Sequence, residues 1–388
     1  MSGTIAIGTA GRPAVSRGWK TGIIVGIASF VIFTMAAERL ASHGLNAHSV
    51  LPVWQNPTPE TIGGRWLAFA LLWLIQLLIG STMDTLVIVT IVSASFFQGL
   101  IAHDLVKRGW TPLQASLAVG LNALHPVMLA LATSGSPLLL YVMVAGAAII
   151  ALDRFEAIGD TQSIIMLGLL LAALSLSWPN AVFFIVPLTA LLPWAFKDIL
   201  NYNAATALFI VALTPALICL SAVSLGGILF HQSFNDMVSV WASPLHGAAD
   251  SVIQDSNWLA MYGGRPIPAF IMLSLWCLAL LPCHVIIILR FLFSRHERAR
   301  PVTGIAALFL PCVTGMLATM YFQMESVWVA LALSMTCAIA WSTTVNFRKW
   351  EKWGWVASTC LGVIISWLAP VLWSSPEQFV WRSILFAG

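Results

Sequence analysis

The chain has 388 residues, of which 59% are hydrophobic and only 9% are charged, and its mean hydropathy is +0.90. Soluble domains carry about 25% charged residues, so this composition excludes a soluble globular protein and indicates an integral membrane protein. The formal net charge of +3 is spread thinly along the chain, and no basic patch indicates nucleic-acid binding.

Apolar runs of about 17 to 25 residues recur from end to end, and each is long enough to cross a hydrocarbon core of roughly 30 Å as a helix. The runs lack the alternating polarity of barrel strands, so helices must satisfy the backbone in lipid. The predicted fold class is therefore all-α, a polytopic helical bundle with about 11 transmembrane helices and one re-entrant or interfacial helix. The predicted spans are 20–37, 83–102, 112–131, 136–152, 163–177, 180–196, 203–225, 266–291, 302–322, 326–346 and 354–373.

The first apolar run, Thr21 to Ala37, follows three basic residues and is predicted to be a signal anchor with a cytoplasmic amino terminus. This orientation puts 14 of the 18 lysines and arginines on the cytoplasmic side, in agreement with the positive-inside rule. The arginines left on the outer side are Arg39, Arg65, Arg265 and Arg382.

The run Trp66 to Gly80 decides this topology, because a full crossing there would move every later loop to the other side. At about 15 residues it is short for a span, and we interpret it as a re-entrant or interfacial helix. The alternative is that it crosses the membrane and that a later pair of spans is miscounted.

Proline and ionisable residues interrupt the apolar spans. Pro126, directly after His125, predicts a local bend in the third span because proline removes a helical hydrogen bond. Ionisable side chains are costly in lipid unless they face a cavity or a partner, which makes Asp84 and His284 notable as well. Asp84 begins the second span and is an acidic candidate for an outward cavity.

The third span ends at an outer corner, Thr133-Ser134-Gly135-Ser136-Pro137. Pro137 suits the first turn of the following helix, and Ser134 or Ser136 suits its cap. A helix amino terminus favours an anion, so one interpretation is a phosphate site at Ser134 and Ser136. The other interpretation is a short turn between packed helices.

A longer pattern surrounds this corner. A basic inner turn at His103–Arg108 is followed by LNALHPVMLALATSGSPLLLYVMV, by the pair Asp153-Arg154 and by LGLLLAALSLSWPNAVFFIVPLTALL. From about 82 to 194, the chain resembles the membrane core of the GT-C superfamily of polytopic glycosyltransferases, which take sugars from polyprenyl-phosphate carriers. The resemblance implies a single membrane domain, 1–388, with a GT-C-like core at 1–225, outer segments at 38–65, 226–265 and 374–388, and C-terminal helices at 266–373.

The resemblance also implies a catalytic acid on the outer face just after the first span. Glu38 occupies that position, and Asp84 is the second acidic candidate. However, the loop after Glu38 contains no Asp-x-Asp or Glu-x-Asp pair, which departs from the family pattern and leaves a charged collar at the membrane surface as the alternative. A carrier phosphate needs a cation: Arg265, in MYGGRPIP, is the first candidate, with Arg65 and Tyr262 as further binding residues. The alternative is that Arg265 is an interfacial anchor at the entrance of a span.

The implied function is transfer of a sugar from a polyprenyl-phosphate carrier to an envelope acceptor outside a bacterial inner membrane, with the carboxyl terminus periplasmic. The alternative is a non-catalytic membrane subunit that binds partner proteins or lipid. A transporter would show paired broken helices and internal repeats, and the sequence shows no duplication. Expected partners are a lipid-linked sugar donor or membrane lipid and other membrane proteins, but no nucleic acid. No cofactor or metal site is predicted, because glycine-rich nucleotide loops and closely spaced Cys/His ligands are absent.

Overall fold

A computed structural model describes residues 12–42, 83–133, 138–158, 160–177, 181–196, 213–222, 266–293, 301–322 and 327–369, with a few isolated positions between them. All the regular secondary structure in this part of the chain is helical, which confirms the prediction of an all-α fold. The helices are α1 Arg12–Ser42, α2 Met83–Lys107, α3 Pro112–Ala123, α4 Pro126–Thr133, α5 Leu138–Ile158, α6 Thr161–Ser177, α7 Val182–Phe196, α8 Leu213–Ala222, α9 Pro266–Leu280, α10 Cys283–Phe293, α11 Pro301–Phe322, α12 Val327–Thr344 and α13 Lys349–Leu368.

Several of these helices have the length and composition of membrane spans. Within the described residues, α1, α2 and α5 each contain an apolar stretch long enough to cross a bilayer, and the number rises to five if each of two bent helix pairs is one span. Shorter apolar helices accompany them, including α6, α7, α11 and α12. The chain is therefore a multi-pass membrane protein, whereas the figure of about 11 spans stays a prediction.

Two predicted spans are broken. Helices α3 and α4 meet at an angle of 68° around Leu124 and His125, which confirms the bend predicted from Pro126. The predicted span 266–291 is wrong as a single helix, because α9 and α10 meet at 104° across Leu281 and Pro282. Pro282 lacks a backbone N–H and cannot continue the hydrogen-bonding ladder of α9.

Helices α1 and α2 are antiparallel and lie unusually close together. A Cβ atom added to Gly22 would lie 2.7 Å from the Gly99 carbonyl oxygen, and one added to Gly26 would lie 3.3 Å from the Ser95 carbonyl oxygen. Small residues permit this approach of two backbones in a membrane. The register puts the carboxyl end of α1 level with the amino end of α2, so the connection 43–82 starts and finishes at one end of the bundle. This favours the prediction that 66–80 makes no net crossing.

Four helix connections meet at one end of the bundle, which we call the basic end. The ring of Trp110, after α2, packs edge-on against that of Phe347, before α13, with centroids 5.4 Å apart. Arg290 near the end of α10 donates to Glu351 of α13, and Glu156 of α5 accepts from the amide of Thr303 in α11 at 2.8 Å. The basic end thus contains basic residues that the sequence analysis assigned to the cytoplasm.

Helix α12 lies at the centre of the bundle. Every residue from 330 to 345 is buried, and its Thr336 packs against Gly146 of α5. Polar side chains near its carboxyl end are satisfied locally: the hydroxyls of Ser342 and Thr343 donate to carbonyls of the preceding turn, at 2.7 Å each. These local bonds allow small polar residues in an apolar interior.

Candidate functional site

The sequence-predicted acids lie at the end of the bundle opposite the basic end. Glu38 is exposed near the carboxyl end of α1, and Asp84 lies in the first turn of α2. The α1–α2 register brings these two positions to the same level. Of the predicted binding residues, Arg65, Tyr262, Arg265, Ser134 and Ser136 lie outside the described residues.

The corner after α4 lies at this same end, which we call the corner end. The Thr90 hydroxyl of α2 donates to the Ala132 carbonyl at 2.7 Å, and the Thr133 hydroxyl donates to the Leu129 carbonyl at 2.8 Å. Gly135 is buried with φ at 67°, a left-handed conformation that glycine adopts without strain. Because Thr90 is six residues beyond Asp84, the corner lies about 9 Å deeper along α2 than the two acids.

A second polar group occupies the middle of the bundle, at the α3–α4 break. His125 Nδ1 accepts from the Val127 amide at 3.3 Å, so the neutral ring carries its proton on Nε2. Nε2 lies 2.8 Å from Ser366 Oγ of α13 and donates to it, and the Ser366 hydroxyl lies 3.4 Å from the Leu280 carbonyl oxygen. This chain of hydrogen bonds joins the α3–α4 break, through α13, to the end of α9.

The α9–α10 break contains a second buried histidine with the opposite tautomer. His284 Nδ1 lies 2.9 Å from the Leu281 carbonyl oxygen, which can only accept, so Nδ1 carries the proton. Nε2 then accepts from the Ser334 hydroxyl of α12 at 2.9 Å. Both ring nitrogens are thus satisfied by a helix break and by a neighbouring helix.

Helix α13 contacts both breaks. The Trp367 indole N–H donates to the Leu124 carbonyl at 3.1 Å, which satisfies a backbone group that the α3–α4 break frees. A Cβ atom on Gly362 would lie 2.7 Å from the Leu280 carbonyl oxygen, so only glycine lets α13 approach the second break this closely. The two breaks are therefore held by one helix.

A small cavity lies between these elements. It offers about 20 Å³ to the centre of a water molecule, which is room for one or two waters. Beside it, Asn122 Nδ2 lies 3.4 Å from Gln98 Oε1, and the buried Gln98 Nε2 has no partner within the described residues. The lining residues include Asn122, His125, Leu280, Cys283, Thr359 and Gly362.

Sequence reasoning missed most of this polar group. It identified His125 and His284 as costly in lipid but treated the first only as a kink, and it did not single out Gln98, Asn122 or Ser366. The available signal was the pair of His–Pro neighbourhoods, HP at 125–126 and PCH at 282–284, since each marks a polar residue beside a helix breaker.

Two ion pairs stabilise the basic end, one nearly buried and one close to solvent. Arg290 and Glu351 approach to 2.7 Å with side chains only 12% and 10% exposed, whereas Arg154 and Asp160 pair at 3.2 Å near solvent. Hydrogen bonds from Ser163 hold the pKa of Asp160 below its usual value. Partial burial lowers the pKa of Lys352, whose ammonium group donates to the Gly109 carbonyl.

In comparisons with known proteins, no family model, no curated protein and no solved structure matches this chain. Within the described residues, no group of three or more His, Cys, Asp or Glu side chains could hold a metal ion. The fold and its polar interior define the class of protein, which is a multi-pass helical membrane protein.

Proposed function

We propose that this chain is a GT-C-like membrane glycosyltransferase that moves a sugar from a polyprenyl-phosphate carrier to an acceptor hydroxyl at the outer face of a bacterial inner membrane. The observation that carries the proposal is the antiparallel register of α1 and α2. Through it, Glu38 and Asp84 share the corner end, together with the buried turn at Gly135. Two acids at one membrane surface, above a buried turn, supply carboxylates that a transfer site could use.

In the proposed reaction, an acceptor hydroxyl attacks the anomeric carbon of the sugar while the bond from that carbon to the carrier phosphate breaks. Glu38 accepts the hydroxyl proton, since its exposed side chain at the end of α1 is open to an incoming acceptor. Asp84 is the second carboxylate and the alternative base. The carrier leaves as polyprenyl phosphate and retains the electron pair of the broken bond.

The leaving phosphate requires positive potential at the corner end. The amino terminus of α5, which begins at Leu138, directs the positive end of its helix dipole toward this end of the bundle. In the proposal, Ser134 and Ser136 add hydroxyl donors, and Arg265, Arg65 and Tyr262 supply the cation and a further hydrogen bond.

A transfer assay tests the proposal. Purified protein in liposomes is given radiolabelled polyprenyl-phosphate sugars and a soluble glycan acceptor, and product formation is compared for wild type, Glu38→Gln, Asp84→Asn and the control Asp160→Asn. Loss of a catalytic base lowers the rate by on the order of 100- to 10,000-fold, so one carboxylate variant should be inactive while Asp160→Asn, at the basic end, is active. Equal rates for both carboxylate variants and wild type would remove these acids from the mechanism. If the wild-type protein transfers sugar from none of the donors, the result favours the alternative that the chain is a non-catalytic membrane subunit.

A second candidate function, transport, is favoured by the paired broken helices. In many secondary transporters, discontinuous helices meet near the membrane midplane and their freed backbone groups bind the substrate or coupling ion. Here residues of both bent pairs, among them His125 and Cys283, line one water-sized cavity. Proteoliposomes containing a pH-sensitive dye would test proton movement: flux that His125→Phe abolishes supports transport, and flux equal to that of empty liposomes contradicts it.

A further inference from the structure

The basic end of the α1–α2 pair lies directly above an apolar groove. The groove has a volume of about 300 Å³ and runs along both helices from Trp19 past Ile23 and Ile27 to Phe30, with Phe96 on the other wall. Its floor is formed by the close-packed glycines and its lining is almost entirely apolar.

The length of the groove matches one leaflet of a membrane. Trp19 and Phe30 are eleven residues apart in α1, which corresponds to about 16 Å along the helix axis, or half of a hydrocarbon core of roughly 30 Å. An acyl chain from one leaflet therefore has the length to fill the groove. The side chains of Ile23, Ile27 and Phe96 are 58%, 61% and 63% exposed, so the groove is open to such a chain from the side.

Four exposed basic residues lie at the two helix ends next to the upper end of this groove. Arg17 and Lys20 are exposed at the start of α1, and Lys107 and Arg108 are exposed at the end of α2. The stacking of Trp19 on His103, with centroids 4.3 Å apart, holds the two helix ends together. Asp104 is the one acid on this part of α2, so positive charge dominates here. We call these four residues the basic cluster.

We infer that the α1–α2 pair binds an anionic phospholipid, with its headgroup phosphate on the basic cluster and one acyl chain in the groove below. Cations near a membrane surface attract anionic headgroups, and tryptophan at this depth packs against the glycerol region. A soluble polyanion would match the charge of the cluster but would leave the groove uncovered. A neutral lipid would fill the groove but would gain nothing from the four cations.

The test is a lipid titration of the intact detergent-solubilised protein by native mass spectrometry, with phosphatidylglycerol and phosphatidylcholine of identical acyl chains. The first variant, called the cluster variant, removes three of the four cations of the basic cluster: it combines Lys20→Gln, Lys107→Gln and Arg108→Gln. Its matched control, Arg154→Gln with Arg348→Gln and Lys349→Gln, removes the same charge at the same end but away from the groove. A third variant, Ile27→Trp, narrows the groove from its exposed side. Thermal unfolding verifies that each variant is folded.

Wild type and the control should prefer phosphatidylglycerol, and the cluster variant should lose on the order of 100-fold in affinity for it, since each cation near an anionic surface contributes about a fivefold factor. Ile27→Trp should weaken binding of both lipids. The inference is overturned if the cluster variant and its control bind phosphatidylglycerol equally, or if wild type shows no preference between the lipids. Binding of a soluble polyanion such as tRNA, without a lipid preference, would assign the cluster to another partner and would also overturn it.

Discussion

At the scale of single residues, the interior is organised by polar side chains that bridge helices. His125, Ser366 and the Leu280 carbonyl form one such bridge, and His284 with Ser334 forms another. A buried donor left without a partner costs more than an ordinary hydrogen bond contributes, because its desolvation is no longer compensated. These bridges are therefore the positions where small substitutions should have large effects.

Ser366→Ala should lower the free energy of unfolding by about 1–3 kcal/mol, because it leaves the His125 Nε2–H buried and unpaired. Ser358→Ala is the matched control, since the Ser358 hydroxyl donates only to the Trp355 carbonyl of the same helix. Denaturant unfolding in detergent, followed by tryptophan fluorescence, measures both variants. Equal losses of unfolding free energy for Ser366→Ala and Ser358→Ala would show that the hydrogen bond between Ser366 and His125 adds no stability of its own.

The Arg290–Glu351 ion pair is the second residue-scale case. Glu351→Gln should cost about 3 kcal/mol of unfolding free energy, because it leaves a nearly buried guanidinium without its counter-ion. Asp160→Asn, which breaks the solvent-exposed pair with Arg154, should have a much smaller effect. The same denaturant unfolding measurement compares the two variants. A larger loss of unfolding free energy for Asp160→Asn than for Glu351→Gln would contradict the expectation.

At the scale of helices, close backbone approach determines which pairs form. Gly22 and Gly99 allow α1 and α2 to touch, and Gly362 allows α13 to reach the α9–α10 break. In lipid, such contacts replace the hydrophobic driving force that packs helices in water. Helix pairing in this protein therefore depends on positions with no side chain at all.

Gly22→Ala should destabilise the protein by about 1–3 kcal/mol, because the new Cβ would meet the Gly99 carbonyl oxygen, part of the rigid backbone of α2. Gly120→Ala is the control, since no atom lies within 4 Å of a Cβ added there and alanine is the better helix former. Thermal unfolding in detergent should separate the two variants. A Gly22→Ala protein as stable as Gly120→Ala would mean that α1 moves freely away from α2.

At the scale of the whole molecule, the bundle has two chemically different ends. Positive residues from distant segments gather at the basic end, whereas Glu38, Asp84 and the Gly135 turn share the corner end. Because α1 and α2 are antiparallel, the connection 43–82 starts and finishes at the corner end. The proposed chemistry and the proposed lipid site thus lie on opposite membrane surfaces.

Cysteine labelling in intact cells tests this arrangement. A cysteine at position 38 should react with a membrane-impermeant maleimide added outside, and cysteines at 107 and 349 should react only after permeabilisation. The native cysteines among the described residues are buried or half-buried, which limits background reaction. Outside labelling at both 38 and 107 would contradict the orientation and the transferase proposal together.

The sequence by itself determined that the chain is a helical membrane protein, because span length and low charge are local properties that the bilayer constrains directly. It also located the bend at Pro126, since a missing backbone N–H acts within its own helix. The broken α9–α10 pair escaped prediction although Pro282 marks it, because an uninterrupted apolar run masks the break.

Only the tertiary structure decided which residues act together. It paired His125 with Ser366, 241 positions away, and gathered charges that are thinly spread along the chain into the basic end. The register of α1 against α2 depends on how closely two particular backbones approach, and the hydropathy of either helix alone carries no such information. The class of protein therefore follows from the sequence alone, whereas the candidate sites depend on how the helices pack.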